Sequence, residues 1–254
     1  MDEQGLVNVL GYPVSKFASA EDASTFFVER CKNSSRGEYV CLANVHMFVE
    51  AISNSQFSEV LSSADYVLPD GMPIALLTKL WGGPSARVRG MDLTTSLLIS
   101  GANRGVKFGF YGASDSVLKE LADEVKKLSP NAQLVYLFSP PYRELSRDEE
   151  KSIISDIKES DVDILFVGLG CPKQERWMHK HVDDLHCICF GVGAVFDFLA
   201  KASPEAPRWM SNVGLEWFFR LVSEPRRLFS RYFRTNIKFL LILLGHFSGI
   251  KKVG

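Results

Sequence analysis

An unbroken apolar run, Ile164-Leu165-Phe166-Val167, leads directly into Gly168-Leu169-Gly170-Cys171-Pro172 and then into a polar, helix-favouring segment from Lys173. A run without polar alternation fits a strand covered on both faces, the condition inside a parallel sheet. Pro172 suits the first helical position, where its missing N–H costs nothing. Strand, glycine turn and helix N-terminus in that order present backbone N–H groups and a helix dipole to a phosphate or carboxylate. Gln174 and Glu175 fall in the first turn of that helix, at the mouth of the same crevice. Two readings stand on this stretch alone: a nucleotide-linked ligand lies against Gly168 and Gly170, or the turn is a tight connection with no ligand.

The alternation repeats along the chain. Residues 6–14 read as a leading strand or hairpin, and residues 20–32 as a helix with Ser19 as its cap. Residues 39–43 form a buried strand ending at Asn44, and residues 45–53 a helix. Residues 65–68 form a strand ending at Pro69-Asp70-Gly71, with Pro73 placed to begin the next helix. Arg89-Gly90-Met91-Asp92 opens a helix running through Leu98. Residues 106–111 form a strand closed by Gly112, and residues 114–128 an amphipathic helix. A strand at 134–138 runs into Ser139-Pro140-Pro141-Tyr142, a helix covers 147–159, and a last strand at 186–190 is closed by Gly191-Val192-Gly193. Strands alternating with helices predict an α/β fold with a doubly wound, mostly parallel sheet. Ligands of such sheets bind outside the carboxyl ends of the strands. Asn44, Asp70, Gly71, Gly112, Tyr142, residues 168–175 and Asp197 should therefore converge on one crevice.

Asp70 directly follows a strand end, where a carboxylate can take a proton from an attacking hydroxyl. Asp-Gly is also a common turn and Asp a common helix cap, so the cap reading stands beside the base reading. Asp197 lies between two phenylalanines and must find a partner, either a substrate hydroxyl or backbone N–H groups. Arg89 suits a diphosphate, or forms a surface ion pair with Asp92.

The composition narrows the function classes. A net charge of −1 over 254 residues gives no support to nucleic-acid binding. The five cysteines show no ligand spacing and read as reduced core residues of a cytosolic protein. His179 and His181, two apart on a helix, diverge, and His46 reads as a packing residue rather than a ligand, so no metal site is expected. The first 15 residues lack the charge and apolar run of a signal peptide. No GxSxG, P-loop or complete GxGxxG pattern occurs, which weakens hydrolase, kinase and dehydrogenase readings.

The tail differs from the rest. From Gly214 it mixes aromatic, aliphatic and basic residues, with Arg220, Arg227, Arg231, Arg234 and Lys238 at helical spacing. Phe229, Phe233, Ile237 and Leu240 form a neighbouring apolar face. The combination describes an interfacial helix for an anionic membrane surface, or a final helix packed on the body with a solvated basic face. The run from Phe239 to Leu244 is too short to cross a bilayer.

Taken together, the chain resembles the WecG/TagA/CpsF glycosyltransferase family, also called glycosyltransferase family 26. The likeness spans residues 9–232. It rests on Asn44-Val45-His46-Met47, Asp70-Gly71, Arg89-Gly90-Met91-Asp92, the Pro140-Pro141-Tyr142 turn and the stretch from Val167 to Glu175. It continues through Gly191-Val192-Gly193, Phe196-Asp197-Phe198, Ala206-Pro207, Gly214-Leu215-Glu216-Trp217, Arg220-Leu221 and Glu224-Pro225-Arg226-Arg227. The resemblance implies a Rossmann-like domain over residues 1–200 with a C-terminal helical, membrane-docking appendage over 201–254.

It further implies an inverting, metal-independent hexosyl transfer, without cofactor, from a UDP-sugar to a polyprenyl-diphosphate-linked sugar at the inner face of the cytoplasmic membrane. The transferred sugar would be N-acetylmannosamine, its uronic acid, or glucose, in cell-envelope polysaccharide synthesis. By position Asp70 would be the base, and Asn44, Arg89, Gln174 and Asp197 would line the site. The C-terminal arginines would reach the lipid diphosphate. Self-association into a homo-oligomer stays open. Three positions depart from the family's usual residues: Leu42 for Thr, Lys201 for Gly, and Glu205 for Arg. These departures keep a second reading in play, a non-catalytic sugar-nucleotide-binding or assembly module of the same pathway.

Overall fold

The computed structural model describes residues 5–248; residues 1–4 and 249–254, the outer ends of the two expected units, lie outside the described residues. β1 (Leu6–Val9) and β2 (Tyr12–Ser15) pair as an antiparallel hairpin, as expected over residues 6–14. α1 (Ala20–Asn33) starts at Ser19, whose side chain accepts from the Asp22 N–H. β3 (Glu38–Ala43), α2 (Val45–Ser53), α3 (Ser55–Ser62), β4 (Tyr66–Pro69), α4 (Met72–Gly82) and α5 (Gly90–Ala102) follow. Next come β5 (Lys107–Gly112), α6 (Asp115–Leu128), β6 (Gln133–Phe138), α7 (Arg147–Glu159), β7 (Ile164–Gly168), α8 (Lys173–His181) and β8 (Ile188–Gly191). The chain ends in α9 (Val195–Leu199), α10 (Arg208–Asn212), α11 (Glu216–Ser223) and α12 (Pro225–Phe247).

The six long-range strands form one sheet in the order β4-β3-β8-β7-β5-β6, and every pairing is parallel. Each central strand feeds both faces. Tyr39, Cys41, Ala43, Leu165 and Val167 enter one core with α2, α3, α8 and the hairpin. Val40, Leu42, Ile164, Phe166 and Phe190 enter the other with α1, α5, α6 and α9. Double-sided burial is why these strands read as continuous apolar runs rather than alternating ones. The five cysteines are all free thiols, with Cys41, Cys187 and Cys189 buried in the core.

Several expectations change in detail. α3 was not expected; its signal is Asn54, whose side chain accepts from the Phe57 N–H and restarts the helix immediately after α2. Pro172 is not the first helical residue. It sits one position earlier, as the N-cap residue of α8, after a cis Cys171-Pro172 peptide. The basic tail is not one helix either. Arg220 lies on α11, and Pro225 starts α12 as a separate helix, since a proline inside a continuous helix would lose a hydrogen bond and clash with the preceding turn. Arg220 and Arg227 therefore do not share a helical face.

α12 docks on the body rather than extending from it. Leu228, Thr235 and Phe239 are buried, and Phe239 belongs to the core that contains α2. The opposite face stays open: Phe229, Phe233, Ile237, Leu240, Leu241 and Leu244 are all exposed. Its 23 residues span about 35 Å. Among the described residues no helix is long and apolar enough to cross a membrane.

Candidate active site

The carboxyl ends of β4, β3, β8 and β7 open side by side into a cavity of about 920 Å³, roofed by α11 and α12. That volume is at the upper end for a small-ligand site, with room for more than one ligand group. At its floor, Asp70 N–H and Gly71 N–H both donate to the Ala43 carbonyl at 3.0 Å, which stitches the end of β4 to the end of β3. Asn44 and Asp70 are thereby neighbours. Asn44 caps α2, its side chain accepting from the Met47 N–H at 3.2 Å, while still lining the cavity.

Asp70 is not the cap of its own following helix. Gly71 holds the N-cap position of α4, with no side-chain cap bond. The Asp70 Oδ1 instead accepts from the N–H of Gly90, the first residue of α5, at 3.0 Å. Among the described residues Oδ2 makes no hydrogen bond. Burial pushes the Asp70 carboxyl up to about 6; Glu216 adds to this, while Arg87, Arg89 and the Gly90 N–H oppose it. A carboxylate of that proton affinity, with one oxygen tethered and the other unbonded beside a cavity, is suited to general-base work near neutral pH.

Arg89 forms the expected ion pair with Asp92, but not at the surface. It is buried, at 7% exposure, and pairs with three carboxylates rather than one. Nη1 reaches Asp92 at 3.2 Å, Nη2 reaches Glu205 at 2.9 Å, and Nε reaches Glu216 at 3.2 Å. Burial works against its charge, but Glu216, Glu205 and Asp92 together hold the guanidinium protonated beyond its ordinary range. It lines the cavity with its charge already balanced.

Gln174 and Glu175 are also more deeply placed than a crevice mouth. Both are buried, and Gln174 bridges inward: its Oε1 accepts from Gly170 N–H at 3.0 Å, and its Nε2 donates to Glu175 Oε1 at 2.8 Å. The Gly170 N–H expected for a ligand is thus taken by Gln174. Gly191 makes room for the pair, since a Cβ there would come within 2.9 Å of Gln174 Nε2 and 2.8 Å of Met178. Burial raises the Glu175 carboxyl to about 7.

Gly168 and Asp197 line the cavity, and Tyr142, fully exposed, stands at its rim with the Lys173 ammonium 5.5 Å from its ring. Gly112 does not reach the cavity. It ends β5, one strand outside the open group, at φ 132°, and a Cβ there would lie 2.6 Å from the Gly168 carbonyl. Its role is close approach of two strand ends. Arg220 and Arg231 both line the cavity, and among the described residues the buried Nε of each has no hydrogen-bond partner; the Arg220 guanidinium lies 5.5 Å over Phe198. Arg234 is exposed and outside the cavity, and the side chain of Arg227 lies outside the described residues. Among the described residues no group of three or more His, Cys, Asp or Glu is arranged to hold a metal ion.

Arg87, Glu216 and His46 are among the cavity residues that were not expected to act in the site. Arg87 donates through Nε to the Asp70 carbonyl and through Nη1 to the Ser211 carbonyl at 2.9 Å. Glu216 receives both Arg87 and Arg89. His46, read as a packing residue, lines the cavity; burial and then Arg231 lower its proton affinity. Arg87 and Glu216 are 129 positions apart, so their pairing has no local signal. The Arg87-Val88-Arg89 alternation, with its middle residue buried, was the available hint.

Residues 7–252 match the model of the glycosyl transferase WecG/TagA/CpsF family. The chain belongs to this family. It is similar to proteins named N-acetylglucosaminyldiphosphoundecaprenol N-acetyl-beta-D-mannosaminyltransferase in three bacteria. With that of Bacillus spizizenii it shares 30% identity over 221 residues, covering 85% of this chain and 84% of the relative. With that of Bacillus subtilis it shares 27%, covering 75% and 73%. With one from Staphylococcus aureus it shares 25%, covering 82% and 80%.

The three departures from the family's usual residues have local accounts. Leu42 puts an apolar wall against Gly90, beside the Asp70 tether; a Cβ on Gly90 would come within 3.0 Å of the Leu42 side chain. Lys201 stands where the family usually has glycine and keeps a left-handed φ of 55°, a conformation costing a non-glycine residue roughly 1–2 kcal/mol. Its ammonium pairs with Glu124 at 2.5 Å. Glu205 supplies one of the three carboxylates on Arg89.

Proposed function

We propose that this protein transfers a hexosyl group, with inversion, from a UDP-sugar to a polyprenyl-diphosphate-linked sugar in cell-envelope polysaccharide synthesis. The observation that carries the reading is Asp70: a carboxylate tethered by one oxygen at the cavity floor and raised to about 6. In this reading Asp70 takes the proton of an acceptor hydroxyl, whose oxygen attacks the anomeric carbon of the donor. The bond to the UDP oxygen breaks, and UDP leaves with that electron pair. Asn44, Gly71, Gly168, Tyr142 and Asp197 shape the donor and acceptor sites. Arg220 and Arg231, each with a buried Nε that has no hydrogen-bond partner among the described residues, neutralise diphosphate charge in place of a metal. The named activity of the relatives supports an N-acetylmannosamine donor and an undecaprenyl-diphosphate-linked N-acetylglucosamine acceptor.

Residues 201–254 act as an appendage to the 1–200 body, peripheral on the inner face of the cytoplasmic membrane. The open apolar face of α12 and the exposed Arg234 and Lys238 support this. The test is UDP release with a UDP-sugar panel and a short-chain lipid-linked acceptor. Wild-type protein releases UDP in the presence of EDTA, and Asp70→Asn loses at least about a hundredfold in rate while keeping its fold. A fully active Asp70→Asn variant overturns the assignment. Donor binding without product would favour the non-catalytic module, which the neutralised Arg89 motivates.

A further inference from the structure

An ion pair and a hydrogen bond to a backbone carbonyl link the appendage to Asp70 at the floor of the cavity. Glu216 opens α11, and its Oε2 accepts from Arg87 Nη2 at 2.8 Å and from Arg89 Nε at 3.2 Å. Arg87 spends its Nε on the carbonyl oxygen of Asp70 and its Nη1 on the carbonyl of Ser211 at 2.9 Å. The side chains of Arg87 and Glu216 are 14% and 22% exposed, so the pair works with little solvent around it and is stronger than a surface pair. Burial pushes the Glu216 carboxyl up, but Arg89 and Arg87 outweigh it and keep it ionised. A planar guanidinium held by three fixed acceptors has a single orientation. That orientation fixes the Asp70 carbonyl, and with it the direction in which the side chain leaves the end of β4.

We infer that Glu216 is a positioning residue for Asp70, acting through Arg87, so that the base is set only while α11 lies against the cavity. The inference rests on the reading of Asp70 as the base. It goes beyond that reading by assigning a role to two residues that do the work at one remove. It also commits the charge of Arg87 and Arg89, both beside the cavity, to Glu216, Glu205 and Asp92.

The charged groups around Asp70 give the expected sign. Arg87 and Arg89 face it from the connection between α4 and α5 and lower its proton affinity; Glu216 faces it from α11 and raises it. Behind Arg89 stand Asp92, Glu205 and Arg208, the last paired with Asp92 at 3.1 Å. Removing the Glu216 charge leaves both arginines less balanced, so the Asp70 carboxyl is expected to titrate at lower pH.

The experiment compares wild type, Glu216→Gln, Glu216→Asp and Arg87→Lys. Glu216→Gln is expected to lower kcat by about tenfold with little change in KM for the UDP-sugar, and to move the acidic limb of the kcat–pH profile downward. Glu216→Asp should recover part of kcat and return the acidic limb toward its wild-type position. Arg87→Lys keeps the charge but loses the fork, and its loss should not add to that of Glu216→Gln in the double variant. A purely structural fastening would reduce stability without moving the acidic limb, and that result overturns the inference. So does a rise in KM with kcat unchanged.

A ¹³C titration of the Asp70 carboxyl, assigned by difference from Asp70→Asn, needs no substrate. Its midpoint should fall in Glu216→Gln, and an unmoved midpoint overturns the positioning role. If wild type forms no product but the midpoint moves in Glu216→Gln and also in Arg87→Lys, which keeps the charge and loses the fork, the proposed reaction fails and the positioning stands. If wild type turns over and the midpoint stays, the reverse holds.

Discussion

Asp70 and Glu175 are both held above the ordinary range for carboxyl groups, at about 6 and about 7, with burial as the first cause in each. Their surroundings separate their roles. Among the described residues Asp70 has one oxygen without a hydrogen-bond partner, beside the cavity; Glu175 is closed in, with Oε1 on Gln174 and the Cys171 thiol beside it. A carboxyl whose folded proton affinity exceeds its unfolded one makes the native state bind more protons in the interval between them. Stability then falls as pH rises from the ordinary carboxylate value through the folded value, and the cost is complete above it. Glu175→Gln removes that charge and keeps an acceptor for Gln174. It should gain about 1–3 kcal/mol at pH 8 and nothing near pH 4. Urea denaturation across that range is the measurement; identical stability at every pH would show that ionised Glu175 finds a partner. Asp70 was legible as either base or cap because a strand-end aspartate has both options. Which helix it tethers was not legible, because Gly90 is 20 residues away.

Among the elements, α12 shows how far periodicity reaches. Phe229, Phe233, Ile237 and Leu240 read as an apolar face, and that face is open. The face that docks uses Leu228, Thr235 and Phe239, a second apolar stripe that the tail's hydrophobicity all round conceals. The break at Pro225 separates Arg220 from the α12 arginines, so counting residues across it misplaced them. Phe239→Ala should cost α12 its anchor, a loss of about 3–5 kcal/mol for a buried phenylalanine. Hydrogen exchange should quicken through α12 while β3, β7 and β8 keep their protection. Equal loss of protection in the sheet would show that helix and sheet unfold as one unit.

At the scale of the whole molecule, the open apolar face of α12 lies with exposed Arg226, Arg234 and Lys238 and with Trp217 and Phe218 of α11. A surface that combines bulky apolar side chains with positive charge suits an anionic bilayer. Full-length protein should bind anionic liposomes at low salt, release them as salt rises, and ignore neutral ones. Removal of residues beyond about 200 should abolish binding. Full-length protein that ignores anionic liposomes at low salt would assign the face to a contact between copies of the chain. The α/β architecture, the order of most of its elements and the strand-end residues of the cavity were legible, because strand-end turns carry their own chemistry.

The sequence by itself determined the doubly wound parallel sheet and the family, since apolar runs, caps and turn residues act over a few neighbouring positions. It also marked Asp70, because a strand end in such a sheet faces a ligand. Only the tertiary structure decided which charges stay free in the cavity. Arg89 is balanced by carboxylates from as far as Glu216, Gly170 is satisfied by Gln174, and Arg87, which donates to Asp70, is held by Glu216 of α11. Ion pairing depends on distance in space and on burial, and neither is encoded in the local pattern of the chain.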